Sequence, residues 1–256
     1  MKAILFAAGE GKRLLPLTRE WPKCLMPIGE RPLLEYWLHY LTNTAVNEVY
    51  INLHSHSEIV ESFLNQERFN SVKKIYEGKL LGTGGTLIEN YDYLKDNCVL
   101  AIHADNWSVF NIDEFINYHN KERPKGTLIT MMTFEADNPE LSGIVELDKS
   151  GIVTQFHEKV ENPPSNLANA AVFIIEPYVL DWMTKNNHID DFSRDVIPNF
   201  LGRIATWKNN EIHRDIGTIN ALKKAQLDPK PILYNDGGIW QQEFDNNPIK
   251  ELLKKA

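Results

Sequence analysis

Strand-like and helix-like hydrophobic periods alternate through the first half of the chain, and shorter runs take over in the second. Residues 3–8 form an unbroken apolar run closed by Gly9, which predicts a strand buried on both faces. Pro32 opens a helical segment that puts Leu33, Leu34, Trp37, Leu38 and Leu41 on one face. Strands are predicted at 49–53, 72–76, 99–103 and 127–134, with helices at about 58–65, 82–91 and 113–119 between them. Such βα alternation builds a mostly parallel sheet flanked by helices.

From residue 143 the pattern shortens. Runs at 143–147 and 152–156 flank Asp148-Lys149-Ser150-Gly151, a turn sequence, and predict a β-hairpin. Further strands are predicted at 170–175 and 204–207, and helical segments at 178–183, 192–200 and 219–225. Beyond Asp228 the periodicity weakens through two prolines and Gly237-Gly238, before a short charged helix at 249–255. The expected fold is Rossmann-like α/β, three layers α/β/α around a mixed, mostly parallel central sheet. One domain would span 1–227 and a tail 228–256. The tail carries Ile239, Trp240 and Phe244 among acidic residues. It could dock on its own core or on a second subunit, so a homodimer is left open.

Composition narrows the partners. The chain has 256 residues, 43% hydrophobic and 24% charged, with a formal net charge of −8. That balance suits a globular enzyme and argues against nucleic acid or an anionic membrane as partner. An anionic ligand would then need a local cluster of cations and backbone amides. The two cysteines, Cys24 and Cys98, form no CxxC and offer neither a disulfide scaffold nor a zinc-ligand spacing. The opening apolar run is too short for a signal peptide, and no stretch approaches the ~20 apolar residues of a membrane span. A cytoplasmic location is the expectation.

The local cluster exists. After the first strand the chain reads Gly9-Glu10-Gly11-Lys12-Arg13-Leu14-Leu15-Pro16-Leu17-Thr18, then Pro22-Lys23. Glycines at a strand-to-loop transition let backbone amides approach phosphate oxygens, and Arg13 and Lys23 add cations. A Rossmann fingerprint would need glycine at Leu14; a Walker A loop would need glycine at Phe6 and Ser or Thr at Arg13.

This segment resembles the signature of the sugar-1-phosphate nucleotidylyltransferases. The resemblance continues through Leu81-Gly82-Thr83-Gly84-Gly85, Ala104-Asp105-Asn106, Glu158-Lys159, Asn169-Ala170-Ala171 and Asp215-Ile216-Gly217, in the family's order. It is closest to the short mannose-1-phosphate and heptose-1-phosphate guanylyltransferases, without a β-helical extension. It implies transfer of a nucleoside monophosphate from a nucleoside triphosphate to a sugar 1-phosphate, with release of pyrophosphate. The attacking phosphate oxygen is already ionised, so catalysis reduces to charge neutralisation and alignment. By resemblance, Arg13 holds the leaving phosphates, and Lys23 bridges the α-phosphate and the sugar phosphate. Ala8, Gly9, Gly11, Gly82 and Thr83 line the nucleotide, and Asp105 and Asp215 coordinate Mg2+. The sugar and its phosphate fall to Asn106, Gly143, Glu158, Lys159 and Asn169, on and around the added hairpin. Val160 stands where the family often has proline.

The family's base-reading position, five before the Gly-Thr pair, is Glu77. Relatives that use uridine or thymidine nucleotides usually carry Gln there, whose amide both donates and accepts. A carboxylate only accepts, and guanine offers it two adjacent donors. GTP is therefore expected first, CTP second and UTP third. Two other functions stay open: a cytidylyl- or uridylyltransferase acting on another phosphorylated acceptor, and a non-catalytic nucleotide-binding subunit. His54 and His56 read as a loop pair rather than a metal site, Cys24 as a packed thiol, and Trp107 as an aromatic that could cover the sugar or base.

Overall fold

The computed structural model describes residues 1–42, 44–233 and 238–255; Gly237 falls outside them. The apolar run at 3–8 becomes β1 (Lys2–Phe6), and its alternate side chains enter two different cores. Ala3 and Leu5 join one cluster, Ile4 and Phe6 the other. Successive side chains leave a strand on opposite faces, so a strand between two helical layers must be apolar at every position.

A short antiparallel pair, β2 (Pro27–Ile28) and β3 (Arg31–Pro32), leads into α1 (Leu33–Leu41). Then come β4 (Glu48–Leu53), α2 (Ser57–Leu64), β5 (Val72–Tyr76), α3 (Gly82–Glu89), α4 (Tyr91–Leu94) and β6 (Val99–His103). The chain continues through β7 (Asn106–Val109), α5 (Ile112–Asn117), β8 (Ile129–Glu135), β9 (Gly143–Leu147), β10 (Val153–Glu158) and β11 (Leu167–Ile175). It closes with α6 (Pro177–Thr184), β12 (Ile204–Lys208), β13 (Ile212–Asp215), α7 (Ile219–Leu227), α8 (Gly238–Asp245) and α9 (Pro248–Lys255).

The main sheet runs β10-β9-β11-β6-β1-β4-β5, with β8 on β11 and β12 on β8. β5, β4, β1 and β6 are mutually parallel; β11 lies antiparallel to β6, and only β10 and β11 run against the other strands. The strand order reverses at β1, and a ligand crevice is expected beyond the carboxyl ends of strands at such a point. β11 slips register between Asn169 and Phe173, where Ala171 takes φ 55°. Such a bulge re-aims side chains.

One expected helix needs correction, and one pair of strands is new. The helical segment expected at 192–200 consists of a π turn (Phe192–Val196) followed by a 3₁₀ turn (Ile197–Phe200). The helix expected at 82–91 breaks at Asn90 (φ −103°, ψ 17°) into α3 and α4. β7 and β13 pair as a separate two-stranded ribbon that the periodicity did not predict. As for the tail, Phe244, Ile249 and Leu253 join the same core as Ala3 and Leu5, so α8 and α9 pack on their own chain. No helix among the described residues is long and apolar enough to cross a membrane.

Candidate active site

The segment that follows β1 is pinned from below. Leu14 and Leu17 are buried, and the Thr18 hydroxyl donates to the Gly11 carbonyl at 2.9 Å. Gly11 sits at φ +62°, and a Cβ there would come within 2.8 Å of Thr18 Cγ2, so the turn requires glycine on two counts. A Cβ at Gly9 would meet nothing; that position opens onto free space.

The charges converge at one point. Lys23, whose side chain is only 6% exposed, donates from Nζ to Asp105 Oδ2 and to Asp215 Oδ1, both at 2.9 Å. Arg13 donates to Asp215 Oδ2 at 2.6 Å. Asp105 follows β6, and Asp215 ends β13. The ribbon brings them together, because its register sets Asp215 opposite Asn106. Burial by itself would raise the Asp215 pKa, but Lys23 and then Arg13 outweigh it and hold the carboxyl well below the usual range. Burial would likewise lower Lys23, yet Asp105 and Asp215 raise it above its ordinary value, so the ammonium stays charged. Gly217 completes the group: its N–H donates to Asp215 Oδ1 at 2.9 Å, and a Cβ would press within 2.7 Å of Arg13. A cavity of about 260 Å³ opens here, lined by Glu10, Gly11, Lys12, Arg13, Lys23, Asp105 and Gly217. A larger polar cavity of about 600 Å³, bordered by Ser142, Lys208 and Arg214, shares Arg13 and Asp215 with it.

A second group links the loop to the expected base reader. Asn52 Oδ1 accepts from Ala7 N–H at 2.7 Å, while its Nδ2 donates to Glu77 Oε1 at 2.9 Å. The Thr86 hydroxyl also donates to Glu77 Oε1. Glu77 is thus buried rather than a free loop carboxylate; among the described residues its Oε2 takes only a long bond, from Leu81 N–H at 3.4 Å. Asn52 and Thr86 escaped the sequence reading. The available signal was a polar residue inside the apolar run 49–53, which must find partners when buried. Beside them, Gly82 has φ +72° and lies against the Asp190 carbonyl, which accepts from Gly84 N–H at 2.8 Å. The Thr83 hydroxyl oxygen accepts from Phe192 N–H at 2.8 Å, so it is engaged within the chain. Ala8 is buried at the loop's start.

The residues expected on the sugar side neighbour one another on β9, β10 and β11. Glu158 pairs opposite Gly143, and a Cβ on Gly143 would sit 2.7 Å from Glu158 Oε2. Lys159 (φ 51°) places Nζ 3.0 Å from Glu158 Oε1. Asn169 is held by Ser193 Oγ at 3.2 Å and by Ala171 N–H at 2.9 Å. Among the described residues, no side-chain hydrogen bond or ion pair of Gly143, Glu158, Lys159 or Asn169 reaches the Arg13–Lys23–Asp105–Asp215 group. Asn106 is buried, its carbonyl accepting from Trp37 Nε1 at 2.8 Å.

Trp107 does not cover a ligand. It is fully buried, edge-on to Tyr36, and its Nε1 donates to Asp228 Oδ2 at 3.1 Å. His54 and His56 bond separately to the Glu77 and Thr18 carbonyls, each at 2.9 Å. Burial pushes the Cys24 thiol up to about 12, in keeping with a packed thiol.

Residues 2–230 match the nucleotidyl transferase family. "Bifunctional protein GlmU" of Methanocaldococcus jannaschii is 31% identical over 72% of this chain and 42% of its own length. "UTP--glucose-1-phosphate uridylyltransferase" of Synechocystis is 27% identical over 78% and 55%. "Mannose-1-phosphate guanylyltransferase" of Mycobacterium tuberculosis is 24% identical over 92% and 68%. The chain therefore spans about half the length of the first two. Among solved structures, HddC from Yersinia pseudotuberculosis complexed with GMP-PN superposes with a TM-score of 0.72 at 23% identity, covering 88% of this chain and 98% of that one.

Proposed function

The chain belongs to the nucleotidyl transferase family, and from that premise we propose that it transfers a nucleoside monophosphate from a nucleoside triphosphate to a sugar 1-phosphate. The observation that carries the reading is the convergence of Lys23, Arg13, Asp105 and Asp215 beside a glycine-lined cavity. In the reaction a sugar-phosphate oxygen forms a bond to the α-phosphorus as the bond to the β-phosphate oxygen breaks, and the electron pair leaves with pyrophosphate. Both reactants are anions, so the protein's task is to neutralise and align them. Lys23 stays protonated and, once released from the carboxylates, reaches the incoming and transferred phosphates. Arg13, 61% exposed at the cavity rim, turns to the leaving pyrophosphate.

The two carboxylates meet a single ammonium at 2.9 Å each, so they can share one cation. An all-oxygen donor pair of this kind fits Mg2+, which Asp105 and Asp215 would hold. When bound, magnesium would neutralise charge on the phosphates and help the leaving group depart.

Guanine is the favoured base. Glu77 Oε1 is occupied by Asn52 and Thr86, which leaves Oε2 to accept from a base edge rich in donors. The likeness to a guanylyltransferase supports this choice, and the likeness to a uridylyltransferase is its competitor. The acceptor would be mannose- or heptose-1-phosphate, met by Glu158, Lys159, Gly143, Asn169 and Asn106.

The test is a matrix of four nucleoside triphosphates against several sugar 1-phosphates with Mg2+, read as pyrophosphate release. The strongest signal is expected with GTP. No release in any combination would overturn the reaction; release with UTP alone would overturn the base. Glu77→Gln keeps an acceptor for Asn52 and Thr86 but offers an amide donor to the base. It should shift preference from GTP toward UTP by about tenfold or more, the scale of one mismatched hydrogen bond. An unchanged ranking would refute that role for Glu77.

A further inference from the structure

At the end of β6 opposite Asp105, three side chains distant in sequence meet. Cys98 precedes β6, Glu176 follows β11, and His119 lies in the π turn Tyr118–Glu122. One ligand atom from each falls within 4.8 Å of the others. Cys98 Sγ is 3.5 Å from Glu176 Oε2, and His119 Nε2 is 3.5 Å from Glu176 Oε1. His119 is 1% exposed, and its Nε2 has no hydrogen-bond partner among the described residues although it faces the carboxylate. Its Nδ1 lies 2.8 Å from Thr130 Oγ1.

We infer that Cys98, His119 and Glu176 form a binding site for a zinc-class divalent cation, separate from the catalytic carboxylates. Thiolate, imidazole and carboxylate are the donors zinc takes, at bond lengths of about 2.0–2.3 Å. Tetrahedral donors at those lengths stand roughly 3.3–3.8 Å apart; the Sγ–Oε2 contact of 3.5 Å matches that spacing, and His119 Nε2 lies 3.5 Å from the other oxygen of the same carboxylate. The surroundings prepare the ligands. Nδ1–H donating to Thr130 Oγ1 would leave the Nε2 lone pair for the metal, the usual arrangement of a ligating histidine. Arg123 donates to Glu176 Oε1, which steadies the carboxylate and leaves Oε2 toward the thiol. Burial keeps His119 neutral, with its pKa lowered to about 4, so its lone pair is available at neutral pH. Burial also raises the Cys98 thiol to about 11, so binding would exchange an S–H bond for an S–metal bond and release one proton.

Soft and imidazole donors discriminate against Mg2+, whereas the Asp105–Asp215 pair is all oxygen. The five residues of β6 alone separate the two places by roughly 16 Å. Cation binding here would tie together the start of β6, the turn after α5 and the end of β11, which makes its role structural.

The experiment uses the full chain, stripped with a chelator and held in excess Mg2+ to occupy the catalytic carboxylates. Cobalt(II) is then titrated in, followed by zinc. One equivalent of cobalt should produce a thiolate-to-metal charge-transfer band in the near ultraviolet together with intense tetrahedral bands in the visible. Zinc should displace it and raise the melting temperature. Cys98→Ser should abolish the charge-transfer band and weaken zinc binding by at least about tenfold. Glu176→Gln, which preserves shape, should weaken binding with the band retained. Absence of a stoichiometric band in the folded wild-type chain would overturn the site, as would the same band and affinity in both variants.

Discussion

Lys23→Met tests the central claim that one ammonium holds two carboxylates which can otherwise share a metal. Removing one partner of a buried ion pair costs roughly 3–5 kcal/mol when the other charges are dry. Here the partners' side chains are 30% and 42% exposed, and Arg13 remains on Asp215 at 2.6 Å. Water and the guanidinium therefore reduce the loss to about 1–3 kcal/mol. For a chain of this size that is a melting-temperature fall of roughly 3–10 °C, measured without divalent ions. The loss should shrink as Mg2+ is added. In the wild type the metal must first displace the Lys23 ammonium; in the variant Asp105 is freed of it and Asp215 keeps only Arg13, at the exposed rim. At a hundred times its dissociation constant a ligand stabilises by about 2.7 kcal/mol, enough to restore most of the loss. Thermal unfolding across a Mg2+ titration, without nucleotide, measures this directly. Pyrophosphate release should meanwhile fall by about 10²–10³ in kcat even with saturating Mg2+, because the cation at the reacting phosphates is gone. A variant as stable as the wild type, with no larger response to Mg2+, would refute the shared-cation reasoning.

Three further outcomes are expected. Gly217→Ala puts a Cβ within 2.7 Å of Arg13 Nη2 and 2.9 Å of Asp215 Oδ1. Arg13 can yield without disturbing the fold, so kcat should drop by up to about 100-fold at unchanged melting temperature; wild-type turnover would contradict this. Burial lowers His213 to about 3 and His119 to about 4, both below the unfolded value near 6.5. Their contribution is then complete above pH 6.5 and is lost as pH falls toward the folded values. Between pH 7 and 5 the loss is about 2 kcal/mol per histidine, visible as a falling urea midpoint; a flat profile would show that they titrate normally. Phe244→Ala removes a ring that is 1% exposed and stacks on Trp240 at 5.2 Å. It should cost about 3 kcal/mol and leave the ranking of nucleotides untouched. A cost under about 1 kcal/mol would mean that α8 contributes little to the core.

What the sequence revealed follows from how local each signal is. β1 and β6 were legible because a strand covered on both faces is apolar almost throughout, and a run of that kind needs no knowledge of its neighbours. Arg13 and Lys23 were legible because a glycine loop carries its cations within a few residues. The β7–β13 ribbon was not: each strand has four residues, too few for a period, and what defines them is their pairing across the chain. Asp215 depends on that pairing, so only the family resemblance pointed to it. Trp107 was misread for the same reason. Adjacency to Asp105 in sequence suggested adjacency to a ligand, but the strand that begins at Asn106 turns the indole inward, against Tyr36 and Asp228.

The same distinction explains why the two cation positions differ in visibility. Asp105 follows the carboxyl end of β6, where parallel strands around β1 direct their loops into one crevice, so a rule about sheet ends finds it. Cys98, His119 and Glu176 gather at the amino end of that strand, where no such rule applies, and no spacing between them suggests a metal. They meet because β11 runs antiparallel to β6 and sets Ile175 opposite Val99, which brings the residues flanking that pair, Glu176 and Cys98, side by side. The antiparallel strand that interrupts a Rossmann-like sheet therefore shapes both ends of it. At one end its bulge carries Asn169 beside Ser193. At the other, the carboxylate that follows it reaches a thiol and an imidazole that the hydrophobic pattern treats as unrelated.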